Sequence, residues 1–104
     1  CDVVVATPGR LIEMLNQQRT NLLRATFVVL DEADELLANK FGHQIELVLS
    51  QIRPDRQVLL FSATWPARVE ALALGAITQQ PIHICIGNRQ LAACKSIDQQ
   101  FLLV

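Results

Sequence analysis

Three apolar runs in this chain each stop abruptly at residues with chemistry to offer. "DVVVAT" runs into "TPGR", "ATFVVL" into "DEAD", and "QVLLF" into "SAT". Short β-branched and aromatic runs bounded by polar clusters predict buried strands. Helical stripes lie between them. Thr7 and Pro8 suit an N-cap and a first helical position ahead of Leu11, Met14 and Leu15. From Phe41 to Ile52, the residues Ile45, Val48, Leu49 and Ile52 fall at i, i+3, i+4 and i+7, one face of a helix. "RPDR" breaks that pattern, and Pro66 opens a further helix with Val69, Leu72, Ala73 and Ala76 on one side. "PIHICIG" sets Ile82, Ile84 and Ile86 against His83 and Cys85, the alternation of a fourth strand. Strands alternating with helices predict an α/β fold, a mostly parallel sheet with flanking helices. Ligands of such sheets gather beyond the carboxyl ends of the strands, which is where all three polar segments fall.

At 104 residues the chain offers one small core, a whole domain or a piece of one. It starts at Cys1 with neither an initiator Met nor a signal-peptide pattern, so an excised or processed segment is expected. Gly87 to Asp98 is polar and mixed. The expected division is 1–86 for the layered domain and 87–104 for a linker, with the terminal "FLLV" beginning another apolar run. Apolar runs of about five residues fall far short of the ~20 that a bilayer crossing needs, so no membrane partner is expected. Nine Lys and Arg against ten Asp and Glu give a net charge of −1, which withholds the basic field typical of nucleic-acid binders. Contacts to a nucleic acid then have to come from a few placed groups. Cys1, Cys85 and Cys94 form neither a CxxC pair nor a zinc spacing, and Cys85 is expected to be a buried small hydrophobe. Scattered cysteines point to a reducing, intracellular setting, cytoplasmic or nuclear.

The densest chemistry is at Asp31, Glu32, Asp34 and Glu35, four carboxylates within five residues. An apolar strand ending in Asp-Glu is the Walker B arrangement of P-loop nucleotide hydrolases. There a rigid carboxylate serves a Mg²⁺ on the β- and γ-phosphates, and a neighbouring Glu orients the attacking water. A strand end running into an acidic helix start is the simpler alternative, since Asp and Glu favour a helix N-terminus. "TPGR" reads as a helix start that could also offer backbone N–H groups and Arg10 to a phosphate. In "SAT", the hydroxyls of Ser62 and Thr64 could bond a carboxylate of the neighbouring strand or simply satisfy a polar turn before Pro66. His43, His83 and Trp65 read as structural residues.

In this order, "ATPGR", "VVLDEADELL" and "LLFSATWP" closely resemble motifs Ib, II and III of the DEAD-box ATP-dependent RNA helicases. The literal D-E-A-D followed by S-A-T is highly specific, and the resemblance covers nearly the whole chain. It implies a partial RecA-like fold of the P-loop NTPase type, the second half of the first of two such domains. "SIDQQFLLV" resembles the link to the second. On that resemblance Asp31 is expected to hold Mg²⁺ through water and Glu32 to act as the catalytic base. Asp34 is expected to pair with Ser62-Ala63-Thr64, joining ATP hydrolysis to RNA unwinding or RNP remodelling. Thr7, Pro8, Gly9 and Arg10 are expected on the RNA sugar-phosphate backbone, independent of base sequence. ATP and Mg²⁺ are the implied cofactors; RNA and the second RecA-like domain are the implied partners.

The departures are equally specific. No G-x-x-x-x-G-K-[ST] occurs in these residues, so there is no P-loop in this chain, and the family's Q motif, motif Ia and second-domain motifs are missing too. Alone, the 104-residue chain is expected to be inactive and, with sheet and helix faces left bare, to self-associate. The competing function is a non-catalytic RNA-binding or protein-docking module that keeps the helicase surface. "LANKFGHQ", Leu37 to Gln44, departs from the short Gly-Phe turn usual in the family.

Overall fold

The structure, a computed structural model, describes residues 1–87. The expected linker, Cys94 and the terminal apolar run lie outside the described residues. Helix α1, Pro8–Asn16, begins as its sequence predicts: Thr7 is the extended N-cap and Pro8 occupies the first turn. The Thr7 side chain makes no capping hydrogen bond; its carbonyl accepts from the Leu11 N–H at 3.0 Å. Strand β1, Phe27–Leu30, is followed by α2, Ala33–Ala38, and α3, Gly42–Ser50. Strand β2, Gln57–Leu60, and helix α4, Ala67–Ala76, complete the order.

β1 and β2 pair in parallel, Phe27 opposite Gln57 through to Leu30 opposite Leu60. A parallel pair needs a long crossover, which α2 and α3 supply. Successive strand residues face opposite ways, so one face takes Val28, Leu30, Val58 and Leu60. There Val58 joins Ile45, Leu49 and Ala76 in the core, with Val28, Leu30, Leu36, Phe41, Leu72 and Ile77 packed around them. The predicted stripes of α3 and α4 are the ones that go inward: Ile45, Leu49 and Ile52 are buried, as are Val69, Ala73 and Ala76. On the opposite face Phe27 and Phe61 are each 54% exposed, and Val29 and Leu59 are uncovered as well.

Four expectations need correction. "DVVVAT" forms no strand, and Val5 is 94% exposed. A strand needs a hydrogen-bonded neighbour, and no described segment pairs with it. "PIHICIG" contributes only a single bridging residue, His83, in place of a strand; the three isoleucines are exposed while His83 and Cys85 are half-buried. Cys85 is accordingly not a fully buried hydrophobe. Finally, both paired strands end sooner than their apolar runs suggest, and the acidic stretch forms a helix of its own, α2.

The Leu37 to Gln44 stretch closes α2 and turns the chain into α3. α2 ends with the Lys40 N–H on the Leu37 carbonyl at 3.0 Å and the Phe41 N–H on the Leu36 carbonyl at 2.9 Å. Those two bonds are a Schellman ending, with the apolar residue after it, Phe41, tucked against the core near Leu36. The turn demands a left-handed residue, and here Lys40 takes that position at φ 65°. α1 closes in the same way, through Gln18 at φ 59°. Replacing Lys40 with Gly removes the Cβ strain and is expected to stabilise the fold by about 0.5–1 kcal/mol. Thermal melting would register that as a gain of a few degrees; an unchanged or lower Tm would contradict the account.

"RPDR" is also more than a helix breaker. From this turn the Arg56 guanidinium reaches back to the carbonyls of Leu49 and Ile52 at 3.3 and 3.2 Å, and across to that of Ala76 at 3.0 Å. One side chain thus serves the carboxyl ends of both α3 and α4, where backbone carbonyls lack helical partners.

Candidate functional site

Because β1 and β2 run in parallel, their carboxyl ends emerge at the same edge of the sheet. Two backbone bonds carry the pairing beyond the strands: the Phe61 N–H on the Leu30 carbonyl and the Ala33 N–H on the Phe61 carbonyl, each at 2.9 Å. This brings "DEAD" alongside "SAT". Ala33 is wholly buried between its acidic neighbours, so its small side chain lets α2 start against the end of β2. Ala33 is the site residue that inspection of charged groups alone misses; its signal is an apolar letter inside an acidic run.

Asp34 is bound on all sides. Its carboxylate accepts the Thr64 hydroxyl at 2.8 Å and the Thr64 N–H at 3.1 Å on one oxygen, and the Glu35 N–H at 3.0 Å on the other. Its own N–H donates to the Ser62 hydroxyl at 3.2 Å, which in turn donates to the Thr64 carbonyl at 2.6 Å. The resemblance pairs Asp34 with Ser62 and Thr64; the Thr64 hydroxyl meets its carboxylate and the Ser62 hydroxyl its backbone N–H. Ala63 is exposed and makes no hydrogen bond among the described residues, serving as the spacer between Ser62 and Thr64.

The Thr64 hydroxyl, assisted by the backbone N–H groups of Thr64 and Glu35, holds the Asp34 carboxyl below the ordinary aspartate value of 3.8, against an opposing effect of desolvation. The unfolded chain therefore binds more protons than the folded one between these two values. This contribution to stability is fully present only above about pH 5, clear of the unfolded value, and is lost as the pH falls through the lowered pKa. Asp34→Asn is expected to flatten the acid side of the stability profile below that pH while lowering stability at neutrality. Melting curves from pH 6 downward read this directly, and an identical acid slope for both proteins would refute it.

Asp31 and Glu32 are spent differently. Asp31 is exposed and uses one oxygen to accept the Glu32 N–H at 2.9 Å. Glu32 caps α2 in the left-handed region, φ 52° and ψ 51°, a conformation costing a non-glycine residue roughly 1–2 kcal/mol. Its carbonyl accepts the Leu36 N–H at 3.0 Å, and its exposed carboxylate has no partner among the described residues. The strain is held by bonds on either side and aims one carboxylate at solvent past the strand end, the kind of backbone outlier that clusters at working sites.

Among the described residues no three His, Cys, Asp or Glu side chains converge as a metal cage. Asp31, exposed with one oxygen open, still fits a magnesium ion, which keeps most of its waters and needs only one or two carboxylates. Thr7, Pro8, Gly9 and Arg10 stand apart, at the amino end of α1, which packs on α3; no hydrogen bond among the described residues joins them to the carboxylates. Arg10 is paired at 2.8 Å with Glu13 one turn on, both exposed, a contact easily exchanged for another anion. A Cβ added at Gly9 would meet no atom within 4 Å, so packing within the described chain does not require glycine there. His43 is exposed at the start of α3, whereas Trp65 and His83 are brought together, ring on ring.

Comparison with known proteins adds an independent finding. The family model for the DEAD/DEAH box helicases matches residues 1–72. "DEAD-box ATP-dependent RNA helicase 30" of Arabidopsis thaliana is 52% identical over 103 residues, 99% of this chain and 17% of that protein. "ATP-dependent RNA helicase DBP2" of Scheffersomyces stipitis is 52% identical over 98 residues, 94% of this chain and 18% of its own length. "Putative DEAD-box RNA helicase HEL64" of Trypanosoma brucei brucei is 48% identical over 101 residues, 97% of this chain and 18% of that protein. The chain thus spans under a fifth of these curated relatives.

Proposed function

The chain belongs to the DEAD/DEAH box helicase family, and we propose on that premise that it forms the Mg-ATP-hydrolysing and RNA-coupling part of an ATP-dependent RNA helicase. The observation that carries the reading is the division of labour within one acidic cluster. Asp34 is tied to Thr64 across the strand ends, leaving Asp31 and Glu32 exposed beside it. Glu32 takes a proton from the water that attacks the γ-phosphate, a role its open carboxylate suits. Asp31 would hold a magnesium ion through water, where it would supply charge neutralisation to the phosphate oxygens. Asp34, through Ser62 and Thr64, joins the state of the nucleotide to RNA unwinding or RNP remodelling.

Thr7, Pro8, Gly9 and Arg10 hold the RNA sugar-phosphate backbone, without reading bases. Support comes from the exposed Thr7 and Arg10 at the amino end of α1, the open space over Gly9 and the surface ion pair that is Arg10's partner among the described residues. A second RecA-like domain supplies the remaining contacts to ATP and RNA. With no P-loop pattern in its sequence, the 104-residue chain alone does not turn over ATP. The bare sheet face at Phe27, Val29, Leu59 and Phe61 makes that chain associate with itself. Its sedimentation is therefore expected to depend on concentration; a single monomeric species at every concentration would overturn this point. No described helix is long and apolar enough to cross a membrane.

The test is ATP hydrolysis by the full-length protein with and without RNA, alongside RNA affinity across a salt series. RNA is expected to raise the rate. Arg10→Ala is expected to weaken binding equally for unrelated sequences and to reduce the salt slope by about one. RNA binding without any ATP turnover would instead support the non-catalytic RNA-binding or docking module.

A further inference from the structure

Trp65 follows Thr64 directly, and Thr64 gives both its N–H and its hydroxyl to Asp34. On its other side stands Pro66, whose carbonyl accepts the Val69 and Glu70 N–H groups at the start of α4. The residue between these two anchored neighbours therefore has little freedom to move unless the turn moves with it. Its indole is half-buried and lies on the His83 imidazole, ring centroids 4.5 Å apart and planes tilted by 33°. His83 belongs to the segment that follows α4, and it is the one residue of that segment in a bridge.

Burial of apolar side chains does not explain this contact. The segment has three isoleucines to bury, yet Ile82, Ile84 and Ile86 are 60%, 41% and 91% exposed while His83 turns inward. A one-residue change of register would reverse that choice. Nor does hydrogen bonding explain it: the indole Nε1 and the imidazole Nδ1 are both buried without a partner among the described residues. Unpaired buried polar atoms oppose an arrangement, so the ring contact persists against that cost.

We propose that the Trp65–His83 stack is a positioning contact that ties the Asp34–Thr64 turn to the segment leaving the domain after α4. The proposal rests on the helicase reading above. It assigns neither ring to the chemistry. When the turn shifts with the state of the nucleotide, Trp65 carries the shift to His83, and so to the chain that continues past Gly87. Loss of the stack leaves the carboxylates in place and uncouples their hydrolysis from mechanical work on RNA.

The experiment compares the full-length wild type with Trp65→Ala, His83→Ala, the double variant and Trp65→Phe, which keeps a ring. ATP kcat and KM, duplex unwinding and thermal melting are measured on each. Each alanine variant is expected to lower the unwinding achieved per ATP hydrolysed by roughly three- to tenfold, the worth of one aromatic contact. ATP KM should stay unchanged, the double variant should be no worse than either single one, and Trp65→Phe should recover most of the loss. Wild-type unwinding per ATP in the alanine variants would overturn the proposal. So would additive losses of hydrolysis and unwinding that track the melting temperature, which a packing role produces. A wild type with no RNA-stimulated hydrolysis would instead bring down the helicase reading and this proposal with it.

Discussion

Glu32→Gln in the full-length protein is expected to reduce RNA-stimulated ATP hydrolysis at least about a hundredfold, the lower end of what a positioned general base contributes. The substitution is nearly isosteric, and the Glu32 carboxylate makes no hydrogen bond among the described residues. The left-handed backbone at φ 52° is held by main-chain bonds that glutamine keeps. Stability should therefore change by less than about 0.5 kcal/mol, and ATP binding should survive. A glutamine amide cannot take the proton from water, so the loss falls on kcat. A variant that hydrolysed ATP at a rate near wild type would remove Glu32 from the chemistry. One that lost binding or folding along with activity would make the residue structural instead.

Arg56→Ala carries the largest expected effect on stability. The guanidinium serves carbonyls at the ends of two helices, and its stem lies half-buried between them. Truncation leaves several partly buried carbonyls short of a donor and removes the packing of the stem, a loss of about 2–3 kcal/mol. For a domain of this size that corresponds to roughly 10 °C or more in Tm. Lysine keeps the charge but not the planar fork, so Arg56→Lys should recover only part of the loss. Denaturant unfolding of the three proteins checks the order Arg, Lys, Ala; equal midpoints would show that the carbonyls are satisfied without the guanidinium.

Much of the site was legible because its signals are local or lie in motifs. The stripe of Ile45, Leu49 and Ile52 needs only helical spacing, whereas the residues of "SAT" left open a bond to a neighbouring carboxylate or a satisfied polar turn, and only the resemblance to the DEAD-box helicases singled out Asp34. Other parts resisted for identifiable reasons. The αL conformation of Glu32 follows from α2 starting against the Phe61 carbonyl, a contact no local pattern encodes. Lys40 at a left-handed helix end contradicts the usual glycine, so its turn could not be recognised by composition. "DVVVAT" shows the reverse error: strand propensity without a neighbouring strand produces no strand.

Local sequence thus determined where helices start, which stripes turn inward and which residues carry charge at the strand ends, because these depend on propensity and on spacing within a few residues. Tertiary structure alone decided how the charges are used. The link between Asp34 and Thr64 spans 30 residues and exists only because β1 and β2 align in one parallel register. The same long-range packing turned His83 inward against Trp65 and set Arg56 between two helix ends. Hydrogen bonds fall off within an ångström or so and ring contacts within a few, and only the assembled sheet and helices bring such distant groups that close.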